Sequence, residues 1–499
     1  MTLKIDGNHL TITEACSIAR ARTAEVGLAS AAYGRMNASR ALVDRLAAGD
    51  APIYAVNTGV GQLAGVRIPR EDLERLQRNV IHSHCAGVGE PLAREVVRAM
   101  MLIRANVLAK GFSGIRPLVA ESICALINRG VTPVVPSQGS VGASGDLAPL
   151  AHMAMVLMGE GEAEFEGSIM PGIDALRRAG IEQLTLQAKE GISLINGTQA
   201  MLAVGCLELE AAETLANTAD VVAALTLDAQ RGTPRAFDAR IHQARPQAGQ
   251  LASAARLVRF FEGSQIRESH RGCGRVQDAY SLRAIPQVHG AVLDALAEAR
   301  RVFAIEVNSA TDNPLVFDDE ILSGGNFHGE SLALQLDFLA IALAALAGIS
   351  ERRIDRLVNP ALNEGLPAFL AGHPGLESGL MMVQVTAASL VAEIRVLANP
   401  ASTGSITTSG NKEDFVSMGM TSAVKLQRVT RDARYVLAIE ALCAARALDL
   451  LAPLKTSPAL ERVRERIRAV SPPLAADRPL YRDLAALESL IADGGLQLA

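Results

Sequence analysis

Four long stretches of helical periodicity, at 198–229, 286–310, 330–349 and 381–399, constrain this chain more than any other feature. Ala, Leu, Glu and Arg fill most segments longer than about ten residues, and the β-branched alternation of strands is rare. Such a chain is mainly α, with long helices lying together as a bundle. Apolar residues fall on more than one face of these runs and are hard to cover within one subunit, so an oligomer is expected. Shorter helices are expected over 37–48, 71–85, 91–109, 113–129 and 147–159. A short strand is expected at LKIDG, with Thr11 or Thr13 capping the helix after it, and a small hairpin in 156–172. At about 150 residues per domain the length allows roughly three units. The pattern itself divides most simply into a smaller mixed, mostly helical N-terminal domain, 1–196, and a long-helix bundle with C-terminal helices, 197–499.

Composition excludes several classes. The 48 Lys+Arg against 53 Asp+Glu leave a net charge of −5, with no basic surplus to neutralise phosphates, so neither nucleic acid nor an anionic membrane is an expected partner. There is no Trp and there are only five Tyr, which offers few platforms for base stacking. The six Cys include no CxxC pair, against both a zinc site and a disulfide scaffold, and reduced thiols are expected. The first residues show no apolar signal core. The run LALQLDFLAIALAALAG carries Asp337 inside it and reads as a buried core helix, so a cytoplasmic protein is expected. The nine His form no HExxH, and His82 with His84 reads as one core and one pocket histidine rather than a metal site.

Three irregular joints, 270–286, 308–328 and 401–416, break the helical pattern, and function gathers in such joints of a rigid scaffold. The most unusual segment is GSVGASGDLAPL, 139–150. Its small residues permit a tight turn, with Asp146 placed to cap the helix that Pro149 helps begin. On composition alone it is a loop, and no Lys follows the glycines as a phosphate loop requires.

This segment, with YAVNTGVG, SLINGTQ and VQDAYSLRAIPQ, resembles the aromatic amino acid ammonia-lyase and aminomutase family, its histidine-specific members most of all, over nearly the whole chain. The resemblance implies that Ala143, Ser144 and Gly145 cyclise to a 4-methylidene-imidazol-5-one (MIO), a prosthetic group made from the chain, with no external cofactor and no metal. Glycine is the least hindered backbone nucleophile, and only a β-hydroxyl can leave to make an exocyclic methylene. The product is an electrophile, whereas Ser, Cys, His and Lys side chains are nucleophiles or bases. The resemblance further implies Tyr54 as the base for the substrate β-proton and Tyr280 as a donor beside the ring. Asn196 would hold the amine or the ring carbonyl, Gln277 would orient the amino acid, and Arg283 would grip its carboxylate with a planar fork. Phe327 would lie against the substrate side chain, and Glu413 would contact its imidazole. His84 matches the histidine of histidine and tyrosine enzymes, where phenylalanine-specific members carry an apolar residue.

Lys412 stands where the histidine enzymes carry Gln, Phe415 replaces a His, Gly329 an Ala and Ser331 a Pro, all near Glu413. Lys412 either faces solvent or alters the charge preference of the pocket. The implied reaction is non-oxidative loss of ammonia from an aromatic L-amino acid, L-histidine giving trans-urocanate first among them, in a homotetramer with shared active sites. Tyrosine or phenylalanine as substrate, a 2,3-aminomutase, and a catalytically silent helical scaffold stay as alternatives.

Overall fold

The computed structural model describes residues 2–498. It is mainly α, and the expected helices form at Ser30–Ala47, Leu73–His84, Arg94–Ala109, Pro117–Arg129 and Leu147–Leu157. The long ones are Gln199–Ala229, Ile285–Glu306, Glu330–Val358 and Met381–Leu397. A fifth long helix, Gly419–Leu450, carries charge on nearly every turn of its first half and gives no clean apolar stripe in sequence.

Two compact units emerge, each built from three separate segments. The first comprises Met1–Leu207, Arg300–Asp337 and Pro400–Val424; the second comprises Glu208–Ala299, Phe338–Asn399 and Lys425–Ala499. Four of the five unit boundaries fall inside helices, whereas the sequence pattern suggests a single cut at 196/197.

In the first unit the helix Arg94–Ala109 is buried on every face from Val96 to Ala109, as an element wrapped by others must be. Around it lie the parallel pair Thr2–Ile5 and Glu25–Leu28 and the helix Ile12–Arg20. Thr11, not Thr13, caps that helix, in a reciprocal capping box with Glu14. The expected hairpin is the antiparallel pair Glu162–Phe165 and Ser168–Pro171.

In the second unit the long helices meet around buried charges. Arg353 and Glu440, both fully buried, pair through two contacts of 2.6 and 2.8 Å, and Thr226 and Ser350 donate to the same carboxylate. Asp220 accepts from His289 Nδ1 at 2.8 Å and from Ser253 at 2.7 Å. Charges are kept inside a core only where partners replace the lost water, and every member of this network has one.

Glu330–Val358 is long and apolar enough by length and composition to cross a membrane, yet 56% of its most apolar window is buried within the protein. Asp337, in its N-terminal third, accepts the Ser402 N–H at 2.8 Å.

Candidate active site

The turn at 140–146 is held from inside and outside. Ser140 Oγ accepts from Gly142 N–H (3.1 Å) and donates to Asp146 Oδ1 (2.8 Å). From outside, Ser417 Oγ and Gly329 N–H both donate to Gly142 O, and Met418 N–H donates to Val141 O. Gly145 adopts φ +71°, and a Cβ there would lie 2.1 Å from Gly197 O, so no other residue fits. Gly145→Ala is expected to cost at least about 1–3 kcal/mol from the backbone conformation alone. A lower denaturation midpoint checks it.

Asp146 does not cap its own helix as expected. The helix begins at Leu147, two residues before Pro149, and makes no side-chain bond to Asp146. The carboxylate instead accepts Met201 N–H at 2.8 Å, capping the helix Gln199–Ala229. Asp146 is fully buried, and burial pushes its carboxyl up from the ordinary 3.8 to about 6, against the lowering effect of bonds from Met201, Ser140 and Ala200. The folded chain therefore holds this proton more tightly than the unfolded chain. The resulting stability is fully present below pH 3.8 and is lost as pH rises through about 6. Asp146→Asn, neutral throughout, is expected to remove that slope, changing the stability difference from the parent by on the order of 3 kcal/mol across this window. Denaturant titrations of both proteins at several pH values measure it.

Ser144 Oγ donates to Glu413 Oε1 at 2.7 Å, joining residues 269 positions apart. Glu413 Oε2 accepts from Thr408 Oγ1 at 2.6 Å, and backbone bonds between Thr408 and Glu413 close this part of the 401–416 joint. Asn196 Nδ2 donates to Ser144 O at 3.1 Å, while its Oδ1 is buried without a partner.

The spacing of YAVNTG has a structural cause. Buried Asn57 accepts Ile53 N–H (2.7 Å) and donates to Ala51 O (3.0 Å), and Thr58 Oγ1 accepts Ala55 N–H (3.2 Å). These bonds fold the turn that presents Tyr54, whose hydroxyl oxygen accepts Gly61 N–H at 3.3 Å.

Tyr54, Ala143, Ser144, Phe327, Lys412 and Glu413 all line one cavity of about 490 Å³, a volume suited to a small ligand. Lys412 thus lies at the pocket wall as well as being exposed. Asn313, Ser323, His328, Ser409, Asp414 and Phe415, to which the sequence assigns no site role, complete the lining with Gly61 and Gly325. The stretches GGNFHGE and NKEDF signal three of them, His328, Asp414 and Phe415, only by adjacency to Phe327 and Glu413. Phe415 stacks on His328, with centroids 6.0 Å apart and planes 19° from parallel.

Other expected site residues lie elsewhere. His84 ends the helix Leu73–His84 with Nδ1 2.7 Å from Val80 O, and it does not line the cavity. His82 is not a core histidine: it is 40% exposed and pairs with Glu160. Gln277, Tyr280 and Arg283 belong to the second unit, and none lines this cavity. Tyr280 is 74% exposed, with the Arg283 guanidinium 4.6 Å from its ring centroid.

A family model described as aromatic amino acid lyase matches residues 10–469. Histidine ammonia-lyase of Koribacter versatilis (strain Ellin345) is 58% identical, covering 100% of this chain and 99% of its own; that of Anaeromyxobacter sp. (strain K) is 54% identical, covering 100% of each. Among solved structures, histidine ammonia-lyase from Trypanosoma cruzi superposes with TM-score 0.92 at 41% identity, over 99% of this chain and 94% of that one. Tyrosine aminomutase from Streptomyces globisporus superposes with TM-score 0.94 at 38% identity, over 99% and 98%. With a match of this extent, the chain belongs to the aromatic amino acid lyase family.

Proposed function

We propose that this protein eliminates ammonia from L-histidine to give trans-urocanate, using an MIO electrophile made from Ala143, Ser144 and Gly145. The observation that carries the reading is the Ser144 hydroxyl in the cavity wall, 2.7 Å from Glu413, on a turn whose next residue has room only for glycine. The residues present fit the group: Asn196 Nδ2 already holds Ser144 O, and the unpartnered Asn196 Oδ1 is free to accept a further donor. Ala143, Ser144 and Gly145 would form the group and Asn196 would hold it, and when formed it supplies an electrophilic carbon beside the substrate.

The chain's own side chains do the rest. Glu413 has both oxygens occupied by hydroxyls, and departure of the Ser144 hydroxyl frees Oε1 to accept an imidazole N–H while Thr408 keeps Oε2 in place. Tyr54, fixed by the Gly61 N–H, takes the substrate β-proton. Phe327 packs against the substrate ring, and Lys412 sets the charge at the cavity wall. The choice of L-histidine over L-tyrosine and L-phenylalanine is supported by the high identity to proteins named histidine ammonia-lyase.

The working form in this reading is a cytoplasmic homotetramer. Met382, Val385 and Val396 on the helix Met381–Leu397 are 65%, 46% and 70% exposed, an apolar surface that a second copy of the chain would cover. Gln277, Tyr280 and Arg283 then serve the active site of a neighbouring subunit, Arg283 on the carboxylate and Tyr280 beside the electrophile, with His84 at the rim. In the same reading 1–196 acts as the electrophile-bearing domain and 197–499 as the bundle domain.

Ultraviolet absorbance tests the reading during separate incubation with L-histidine, L-tyrosine and L-phenylalanine, because each elimination product has its own conjugated chromophore. The expected result is a fast rise with L-histidine and stoichiometric ammonia. A β-amino acid product would make the protein an aminomutase, and preference for L-tyrosine would overturn the role given to Glu413.

A further inference from the structure

Arg104 lies on the buried helix Arg94–Ala109 and is itself fully buried. It forms no ion pair among the described residues. All of its hydrogen bonds fall on one short corner of the chain. Nη1 donates to Asn196 O at 2.9 Å and to Gln199 Oε1 at 2.8 Å, and Nη2 donates to Ser193 O. Gln199 is fixed in turn by Nε2 on Thr311 Oγ1 at 2.7 Å. The charge of Asp312 offsets only part of the cost of burying this guanidinium, so a chain that keeps it there holds that corner rigidly in return.

The corner is the part of the protein pressed against the Ala-Ser-Gly turn. A Cβ on Gly197 would lie 2.5 Å from Gln199 Oε1 and 2.7 Å from Arg104 Nη1, and one on Gly145 would lie 2.1 Å from Gly197 O. Arg104, Gly197 and Gly145 therefore stack without slack. Two hydrogen bonds tie the stack to the turn: Asp146 N–H to Gly197 O at 2.7 Å, and Asn196 Nδ2 to Ser144 O at 3.1 Å. Tight contact in single file passes the position of the guanidinium on to the Gly145 backbone.

We propose that Arg104 is a positioning residue for closure of the Ala143–Ser144–Gly145 turn, acting through the Asn196–Gly197 corner; the inference rests on the reading above that this tripeptide cyclises. In that closure the Gly145 nitrogen bonds to the Ala143 carbonyl carbon, and the carbonyl oxygen leaves as water with the hydrogens of the Gly145 and Ser144 amides. The Ser144 hydroxyl leaves with the Ser144 α-hydrogen as a second water. No electrons pass to or from another molecule. Arg104 touches none of the reacting atoms; it holds Gly145 in the left-handed conformation from which its nitrogen can reach back, and a well-oriented intramolecular attack gains its rate from such placement.

The test is intact mass over time after synthesis, on protein first shown to be folded by circular dichroism and size-exclusion chromatography. The variants are Arg104→Gln, Arg104→Lys and Thr311→Val, with Arg98→Lys as control. Arg98 is equally buried on the same helix but donates to Ile127 O and Ile18 O, away from the corner. Folded Arg104→Gln should lose its two waters at least ~10-fold more slowly than the parent, with Arg104→Lys restoring part of the rate. Thr311→Val, which removes only the acceptor of Gln199, should slow it a few-fold, and Arg98→Lys should mature at the parental rate. A purely structural role would lower the stability of both arginine sites and leave maturation of the folded fraction unchanged. Parental maturation rates in Arg104→Gln and Thr311→Val overturn the proposal, and if Arg104→Gln does not fold, a parental rate in Thr311→Val alone does so. A parent protein with no mass deficit overturns the cyclisation reading and this inference together.

Discussion

Ser144→Ala is expected to abolish turnover of L-histidine, with a fall in kcat of at least ~10³-fold. The reason is chemical rather than structural. Alanine can cyclise no further than its missing hydroxyl allows, because no β-leaving group remains to make the exocyclic methylene. The fold should tolerate the change well. The Ser144 side chain makes one hydrogen bond, to Glu413 Oε1, and Glu413 keeps the Thr408 bond on its other oxygen. Loss of one such bond at a half-buried site costs about 1 kcal/mol. The measurement is kcat with L-histidine alongside a denaturation curve. A variant retaining a tenth of parental turnover would show that the electrophile is not built from Ser144.

Glu413→Gln is expected to lower kcat/KM for L-histidine by about 10²–10³-fold while lowering that for L-phenylalanine far less. A carboxylate accepts from an imidazole N–H in a charge-assisted bond, and the amide offers only one acceptor oxygen in place of two. Before maturation both oxygens of Glu413 are engaged, by Ser144 and by Thr408, so the amide also leaves one hydroxyl without its acceptor. The effect on maturation is therefore separated by measuring mass before kinetics, and rates are compared only for the processed fraction. Equal losses for L-histidine and L-phenylalanine would deny Glu413 its part in substrate choice and leave Lys412 or His328, which line the same cavity, as the discriminating groups.

What the sequence makes visible, and what it hides, follows from the range of each interaction. The long helices Gln199–Ala229 and Glu330–Val358 are legible because apolar spacing is local. Gly419–Leu450 is not, because its buried positions Leu426, Val429 and Val436 are separated by Lys, Arg and Asp that point outward or pair. Thr11 is found as a cap because its partner Glu14 is three residues away. Asp146 is misassigned because its true partner, Met201 N–H, lies 55 residues on and belongs to a different helix. The same limit applies at the candidate site. The Tyr54 turn and the Ala-Ser-Gly turn are compact motifs and can be read directly, whereas the contact of Ser144 with Glu413 spans 269 residues and appears only once the chain is folded. Ser323 and Ser409 reach the cavity wall with no local signal at all. His82 shows the opposite error: as the neighbour of His84 it reads as a core imidazole, yet it is part-exposed and pairs with the surface carboxylate of Glu160.

The claim on which the rest depends is that the chain builds its own electrophile, and intact mass of the purified parent protein tests it most directly. The predicted result is a mass lower than that of the 499-residue polypeptide by two water molecules, with fragmentation placing the whole deficit between Ala143 and Gly145. An unmodified mass in folded protein, with no ammonia released from L-histidine, would contradict it and leave a helical scaffold without catalysis.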